Sequence, residues 1–211
     1  MCEIKQISTS GSGERLLLKL LSPDGESESV SISCDAYREL GLKKGEISDE
    51  IYEKLIVRTD YEDALIKGMR ILGYGANSKK QLALKLCRVG ISRENAKRAC
   101  DELSARGYLD EKNDALRIAE GMLAKKYGKR KILASLRAKG YSDDAISFVD
   151  VELLGYDFLT PCTELVRKRM KNLTADRAQI QKAIAKLVGL GYNVGEAKQA
   201  VMRALNEEQT L

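Results

Sequence analysis

The first third of the chain has the hydrophobic pattern of short β-strands. Arg15–Leu21 is a run of mostly apolar residues, and in Ser27–Ser33 the serines alternate with Val30 and Ile32, which places both apolar side chains on one face. The two segments flank Ser22-Pro-Asp-Gly25, whose proline and glycine suit a tight turn. This pattern predicts two strands joined by a turn.

Three more elements are predicted in the same part of the chain. A third strand is expected over residues 1–8. Asp35 is placed to cap a short helix that ends near Gly41. Ser48 is placed to open a further helix that runs through Ile56. The first third is therefore predicted to be rich in strands, with short helices among them.

From about Tyr61 onward the apolar residues recur with the helical period, and an internal repeat appears. Gly90, Gly140 and Gly191 lie 50 and 51 residues apart, and each is followed at the second position by Ser or Asn. A glycine at such a place ends a helix by adopting positive φ, and the Ser or Asn caps the next helix. Equivalent apolar positions flank the three glycines: Leu82, Leu86, Ile91, Ala96 and Ala99; Ile132, Leu136, Tyr141, Ile146 and Val149; Ala183, Leu187, Tyr192, Ala197 and Ala200.

A further helix is predicted ahead of each helix pair, beginning near Asp63, at Asp114 and around Thr163. The fold class that follows is mainly α, a tandem array of three three-helix modules preceded by a small β-rich N-terminal region. Arrays of this kind form extended surfaces that lie along large partners. The predicted domains are a β-rich N-terminal extension with short helices at 1–60, module 1 at 61–107, module 2 at 108–155 and module 3 at 156–211.

Charge is distributed unevenly along the chain, whose net charge is +5. Residues 1–63 carry 8 basic and 14 acidic side chains, residues 64–111 carry 10 and 5, and residues 112–211 carry 18 and 12. The excess of positive charge after residue 63 points to a polyanionic partner. The alternative is that these lysines and arginines form the solvated outer faces of helices.

Two basic concentrations are candidate contacts for such a partner. In the first concentration, over residues 125–139, Tyr127 lies among the charges, and the neighbouring Gly128 is expected to let backbone amides approach a phosphate. The second concentration, over residues 167–171, is followed by Arg177, Lys182 and Lys186. The candidate binding residues are Lys125, Lys126, Lys129, Arg130, Lys131, Arg137 and Lys139 in the first and Arg167, Lys168, Arg169 and Lys171 in the second.

The sequence lacks the residues that most catalytic sites use. It contains no histidine, the commonest general base and metal ligand. The segment Gly73–Lys80 lacks the second glycine of a phosphate-binding loop and is interpreted as an inter-helix loop capped by Ser78. The acidic pairs Asp110-Glu111 and Asp143-Asp144 sit where helices begin, with a catalytic pair as the alternative. We therefore expect that the protein is not an enzyme and that it has neither a cofactor nor a metal site.

The five cysteines are scattered and form no Cys-x-x-Cys pair, which argues against zinc and against a disulfide framework. Reduced and mostly buried thiols are expected. No apolar run approaches the roughly 18 residues that span a bilayer, and no secretory signal is visible at the N-terminus. The expectation is a cytoplasmic protein without a membrane partner.

Several motifs resemble those of the RecX family. Gly107-Tyr-Leu-Asp-Glu111 is similar to the family's Gly-Tyr-Leu/Ile-Asp-Asp motif, and the basic segment from Tyr127 to Lys139-Gly140 is similar to the helix that follows it. Ser78-x-x-x-Leu82-x-x-x-Leu86 with Gly90-Ile-Ser92 resembles the family's first module. Leu40-Gly-Leu-Lys-Lys-Gly-Glu46 and the N-terminal strands resemble members with a β-rich extension.

The resemblance implies a monomeric regulator of homologous recombination, DNA repair and the SOS response. It would bind RecA and the RecA–DNA filament, inhibiting ATPase, strand exchange and coprotease activity, and it would contact single- or double-stranded DNA. The candidate basic residues would make these contacts, whereas Gly107, Tyr108, Leu109 and Asp110 look structural. The alternative is a basic helical-repeat protein that binds DNA directly without RecA, and a distant third is an enzyme that uses Asp110 and Glu111.

Overall fold

The structure is a computed structural model that describes residues 2–10, 13–170, 173 and 176–208. Within these residues the protein is mainly α-helical, with a small antiparallel sheet near the N-terminus. The sheet has four strands in the order β3-β2-β1-β4. Their bounds are β1 Cys2–Thr9, β2 Arg15–Leu21, β3 Ser27–Ser33 and β4 Gly45–Ile47.

The first three strands confirm the hydrophobic pattern. β2 and β3 have the predicted bounds and pair antiparallel with Leu18 opposite Val30. The amide of Gly25 donates a 3.0 Å hydrogen bond to the carbonyl oxygen of Ser22, which closes the turn between them. Leu18, Val30 and Ile32 are buried on one face. β4 was not predicted, because three residues are too few to show alternation.

The helices of the first third differ from the sequence expectation. α1 (Cys34–Glu39) is capped by Ser33, whose hydroxyl accepts a hydrogen bond from the amide of Ala36, and the prediction of Asp35 as the cap was wrong. Ser48 caps the next helix, α2 (Asp49–Gly73), as expected.

The helix α2 (Asp49–Gly73) is one continuous element of 25 residues, so the prediction of a separate helix beginning near Asp63 was wrong. No proline or glycine interrupts residues 49–67, and Asp63 forms an ion pair with Lys67 one turn further along instead of capping a helix. A continuous helix is therefore consistent with the local sequence.

In the described part of the chain, helices α2–α10 follow one another as three successive triplets. α8 begins at Leu159, earlier than expected, because the carboxylate of Asp157 accepts hydrogen bonds from the amides of Leu159 and Thr160. The remaining bounds are α3 Lys79–Arg88, α4 Arg93–Ala105, α5 Glu111–Ala124, α6 Lys129–Ala138, α7 Asp143–Glu152, α8 Leu159–Arg169, α9 Arg177–Gly189 and α10 Val194–Glu208.

The 50-residue repeat is present in the structure as predicted. Gly90, Gly140 and Gly191 follow α3, α6 and α9 with φ of 91°, 74° and 97°, values that favour glycine. Ser92 and Ser142 cap the next helices through their side chains. All fifteen equivalent apolar positions around the glycines are buried. The repeat is therefore a repeat of packing as well as of sequence.

The chain forms two compact units. The N-terminal unit comprises Met1–Gly75 and Gln81–Leu109, and the C-terminal unit comprises Ala76–Lys80 and Asp110–Leu211. In the N-terminal unit α2 contributes to two cores, with Leu55 packing below the sheet and Ala64 packing with α3 and α4. In the C-terminal unit α5–α10 share one core.

Candidate functional site

The helix α6 presents two arginines on one exposed face. Its apolar residues Ile132 and Leu136 are buried in the core of the C-terminal unit, which fixes the orientation of the helix. Arg130 and Arg137 are exposed and seven residues apart, so they lie on the same side about two turns, or about 10 Å, from each other. The exposed Ala134 lies between them along the helix. We call Arg130, Ala134 and Arg137 the α6 face.

Two candidate lysines near this helix have partners inside the C-terminal unit. The ammonium of Lys129 donates a 3.0 Å hydrogen bond to the carbonyl oxygen of Asp150 and lies 2.9 Å from its carboxylate. Lys126 forms an ion pair with Glu164, and this contact holds the pKa of the Glu164 carboxyl below its ordinary value. Both contacts tie the surroundings of α6 to other helices, so these lysines have a structural task.

Lys131 lies away from the α6 face and above an aromatic ring. Its ammonium is 4.7 Å from the ring centroid of the half-buried Tyr127, a cation–π contact. Lys125 and Lys139 are exposed at the ends of α5 and α6. The first basic cluster therefore contains two lysines in ion pairs, one lysine in a cation–π contact, and four other cations that are exposed, two of them on the α6 face.

The amide of Gly128 is hydrogen-bonded within the protein, so the expectation that it approaches a phosphate was wrong. This amide donates a 2.9 Å hydrogen bond to the carbonyl oxygen of Leu190, and the amide of Arg130 donates one of 3.0 Å to that of Gly191. A Cβ atom on Gly128 would lie 2.2 Å from the carbonyl carbon of Gly191. Glycine is required here by the close approach of another turn, which a single sequence does not show.

The second basic cluster forms one side of a groove. Arg167, Lys168 and Arg169 occupy the last turn of α8 and are exposed, whereas Lys171 lies outside the described residues. Lys182 and Lys186 of α9 line the other side. The groove has a volume of about 440 Å³, and we call it the α8–α9 groove; its lining is Lys168, Arg169, Met170, Leu173, Gln179, Lys182, Ala183 and Lys186.

Sequence reasoning missed a second concavity, in the N-terminal unit. It has a volume of about 410 Å³, and two of its lining residues form a cation–π contact, in which the guanidinium of Arg98 lies 4.6 Å from the ring centroid of Tyr61. No motif could have indicated it, because its residues come from three separate parts of the chain. Its lining carries both signs of charge: Glu39, Leu40, Glu53, Lys54, Val57, Arg58, Tyr61 and Arg98.

The acidic pairs occupy helix starts, as predicted. The carboxylate of Asp110 caps α5 by accepting a 3.1 Å hydrogen bond from the amide of Asn113, which lowers the pKa of Asp110. Asp143 and Asp144 lie in the first turn of α7, and Asp144 pairs with Lys112 at 2.9 Å. These carboxylates have capping and pairing tasks that require no substrate.

The described residues contain no group of three or more His, Cys, Asp or Glu side chains arranged to hold a metal ion. None of the five cysteines forms a disulfide, and three of them are buried, in agreement with the expected thiols. Over the part of the chain that the structure describes, every helix is too short or too polar to cross a membrane.

Comparisons with known proteins identify relatives over much of the chain. Regulatory protein RecX of Pelodictyon phaeoclathratiforme is 31% identical over 112 residues, which cover 52% of this chain and 68% of that protein. Regulatory protein RecX of Xanthomonas campestris is 30% identical over 118 residues, 56% of this chain and 72% of that protein. No family model matches the sequence.

Two solved structures share the fold. A crystal structure of regulatory protein RecX superposes with a TM-score of 0.76 at 17% identity, covering 95% of this chain and 98% of that one. The crystal structure of RecX from Lactobacillus salivarius gives a TM-score of 0.62 at 16% identity, covering 69% and 96%. The sequence identity to the curated relatives over more than two thirds of their length shows that this chain belongs to the RecX family.

Proposed function

We propose that this protein regulates homologous recombination by binding RecA and its nucleoprotein filament, and that it inhibits the filament's ATPase, strand-exchange and coprotease activities. Family membership supports a regulatory role. The observation that carries the proposal is the α6 face, on which Arg130 and Arg137 are exposed two turns apart. Neither guanidinium forms an ion pair with any residue that the structure describes, whereas Lys126 and Lys129 nearby are both paired.

The arrangement of the arginines suits a partner that carries phosphates. A guanidinium can donate two parallel hydrogen bonds to a phosphate and keeps its charge at every physiological pH. The spacing of about 10 Å along α6 lets two guanidiniums reach different phosphates. Each exposed contact is weak, contributing about 0.2–1 kcal/mol, but several modules in tandem gain affinity by binding the same filament at once.

Titration of RecA ATPase on single-stranded DNA tests the proposal. We expect hydrolysis to fall with increasing amounts of this protein. The double variant Arg130→Ala/Arg137→Ala should require about tenfold more protein for the same inhibition, since it loses two charge-assisted contacts of about 0.7 kcal/mol each. The matched control, Lys198→Ala/Arg203→Ala, removes two exposed charges from α10 and should inhibit like the original protein. Unchanged ATPase at several-fold excess would contradict the proposal.

A second candidate function is direct binding of DNA without RecA, and the same exposed arginines favour it. In that case binding to bare DNA is tight and depends strongly on salt. Neutralising about six duplex phosphates gives a slope of about −5 in a plot of log affinity against log salt concentration. A flat salt response would exclude this alternative. Filament recognition is distinguished by a larger loss of filament binding than of bare-DNA binding in Arg130→Ala/Arg137→Ala.

A further inference from the structure

The α8–α9 groove concentrates positive charge in a concave place. Two cations, Lys168 and Arg169, come from the last turn of α8, and two, Lys182 and Lys186, come from successive turns of α9. Lys182 and Lys186 are four residues apart on one helix face, so their positive charges repel each other. The helix α9 contains no acidic residue that could relieve this repulsion. An anion bound in the groove would relieve it.

Three of the described residues that line the groove are apolar. Met170 and Leu173 are partly buried against the core of the C-terminal unit, and Ala183 is buried in that core. Burial of an apolar side chain against these residues would be favourable because it removes apolar surface from water, and methionine adapts easily to the shape of such a side chain. A phosphate gains nothing from contact with these apolar side chains.

The remaining lining argues against a site for nucleic-acid bases. Proteins that bind single-stranded nucleic acid usually combine cations with aromatic rings on which the bases stack. None of the described residues that line the α8–α9 groove is aromatic. In this respect the groove differs from the first basic cluster, where Lys131 lies over the ring of Tyr127.

We propose that the α8–α9 groove binds an acidic protein segment that carries an apolar side chain. The carboxylates of the segment pair with Lys168, Arg169, Lys182 and Lys186, and its apolar side chain lies on Met170 and Leu173. The inference rests on the proposed function in one respect: the acidic segment belongs to RecA, the protein component of the filament. It assigns different partners to the two basic regions, phosphates to the α6 face and an acidic peptide to the groove.

Fluorescence anisotropy with the full chain tests this inference. The probe is a fluorescein-labelled polyglutamate peptide with one central leucine, and a matched peptide has serine in place of the leucine. We expect the leucine peptide to bind more tightly than the serine peptide. The charge reversal Lys182→Glu/Lys186→Glu should weaken binding at least about tenfold. The control reversal Lys198→Glu/Arg203→Glu on α10 should leave it unchanged.

Three results would overturn the inference: equal affinity for the two peptides, peptide binding that survives Lys182→Glu/Lys186→Glu, or displacement of the peptide by oligo(dT) at equal concentration. The last result would assign the groove to nucleic acid. Lys168→Glu/Arg169→Glu tests the opposite wall and should give the same loss. All four positions are exposed, so far-UV circular dichroism should show that the variants keep the fold.

The ATPase titration separates failure of this inference from failure of the proposed function. If the peptide does not bind but the protein still inhibits RecA, the groove inference is wrong and the proposed function stands. If the peptide binds in the groove but the protein does not inhibit RecA, the proposed function is wrong and the acidic segment belongs to another protein.

Discussion

The backbone amide of Gly128 donates a 2.9 Å hydrogen bond to the carbonyl oxygen of Leu190. The start of α6 is thus capped by the turn between α9 and α10 and not by a side chain. One repeat earlier in the chain, and within the same unit, the hydroxyl of Ser78 donates a 2.8 Å hydrogen bond to the carbonyl oxygen of Lys139. Ser78 precedes Gly128 by 50 residues and Lys139 precedes Leu190 by 51, so the contact recurs with the period of the repeat.

Replacing Gly128 by alanine should destabilise the C-terminal unit. Gly128 has φ of −77°, which any residue adopts, so the cost comes from the close approach alone. The new Cβ would meet the backbone of Gly191 and Tyr192 at 2.2 and 2.3 Å, and no side-chain rotation relieves contacts with backbone atoms. We expect a loss of about 3 kcal/mol in the free energy of unfolding, measured by urea denaturation.

Gly121→Ala is the matched control, and it should change the free energy of unfolding in the opposite direction. Gly121 is an exposed residue inside α5, and a Cβ there would have no heavy atom within 4 Å. Alanine is favoured over glycine inside a helix by about 0.5–1 kcal/mol, so this variant should gain stability. Equal effects of the two substitutions would show that the approach of Gly128 to Gly191 is not what requires glycine.

Glu62→Gln should weaken the attachment of the sheet to α2 in the N-terminal unit. The buried carboxylate of Glu62 accepts hydrogen bonds from the amide and the hydroxyl of Ser33 at 2.8 and 2.6 Å and lies 3.0 Å from the guanidinium of Arg15. Glutamine has only one acceptor oxygen, so at least one donor loses its partner. We expect a loss of about 2 kcal/mol in the free energy of unfolding.

Asp63→Asn is the control for Glu62→Gln. The neighbouring carboxylate of Asp63 is 45% exposed, and its ion pairs with Arg15 and Lys67 are long, at 3.9 and 3.6 Å. Exposed pairs of this kind contribute about 0–1 kcal/mol, so the change should be small. If Asp63→Asn costs as much as Glu62→Gln, burial of the Glu62 carboxylate does not determine the effect.

Two equivalent caps of the repeat should differ in their contribution to stability. Ser142 accepts one hydrogen bond, from the amide of Ala145, whereas Ser92 accepts one from Asn95 and also donates one of 2.8 Å to the carboxylate of Asp60. Alanine at Ser142 should cost about 1 kcal/mol and alanine at Ser92 about 2 kcal/mol, measured by urea denaturation of each variant. The reverse order would mean that the contact with Asp60 stabilises nothing.

The sequence predicted the elements that depend on local pattern. A mostly apolar run located Arg15–Leu21, alternation located Ser27–Ser33, and the glycine-Ser/Asn signal located the helix ends at Gly140 and Gly191. It failed where the choice depended on neighbours in space. Ser33 and not Asp35 caps α1.

The candidate site was predicted only as a set of charges. Whether a lysine is exposed or paired depends on partners remote in sequence, such as Glu164 for Lys126 and Asp150 for Lys129, 38 and 21 residues away. The groove requires two helices to lie side by side, which the sequence did not specify. The three-module boundaries and the assignment of the basic residues to RecA or DNA stay predictions.

Ionisation of the buried thiol of Cys162 links stability to pH. Burial raises the pKa of Cys162 from 9.0 to about 12, and it raises the pKa of the buried Tyr141 hydroxyl from 10.0 to about 12. Well below pH 9.0 the thiol is neutral in both the folded and the unfolded chain. Between pH 9.0 and about 12 the unfolded chain binds fewer protons than the folded one, so the free energy of unfolding falls as pH rises.

Cys162→Ala should therefore make stability less sensitive to alkaline pH. In the original protein the thiol contributes a decrease that approaches about 1.4 kcal/mol for each pH unit above its unfolded pKa, and the variant lacks this contribution while Tyr141 keeps its own. Urea denaturation at several pH values on both sides of pH 9.0 gives the slope of the free energy of unfolding against pH for the original protein and for the variant. Cys87→Ala removes an exposed thiol and should leave the slope of the original protein unchanged. Equal slopes in all three proteins would show that the Cys162 thiol does not ionise differently in the folded and unfolded chains.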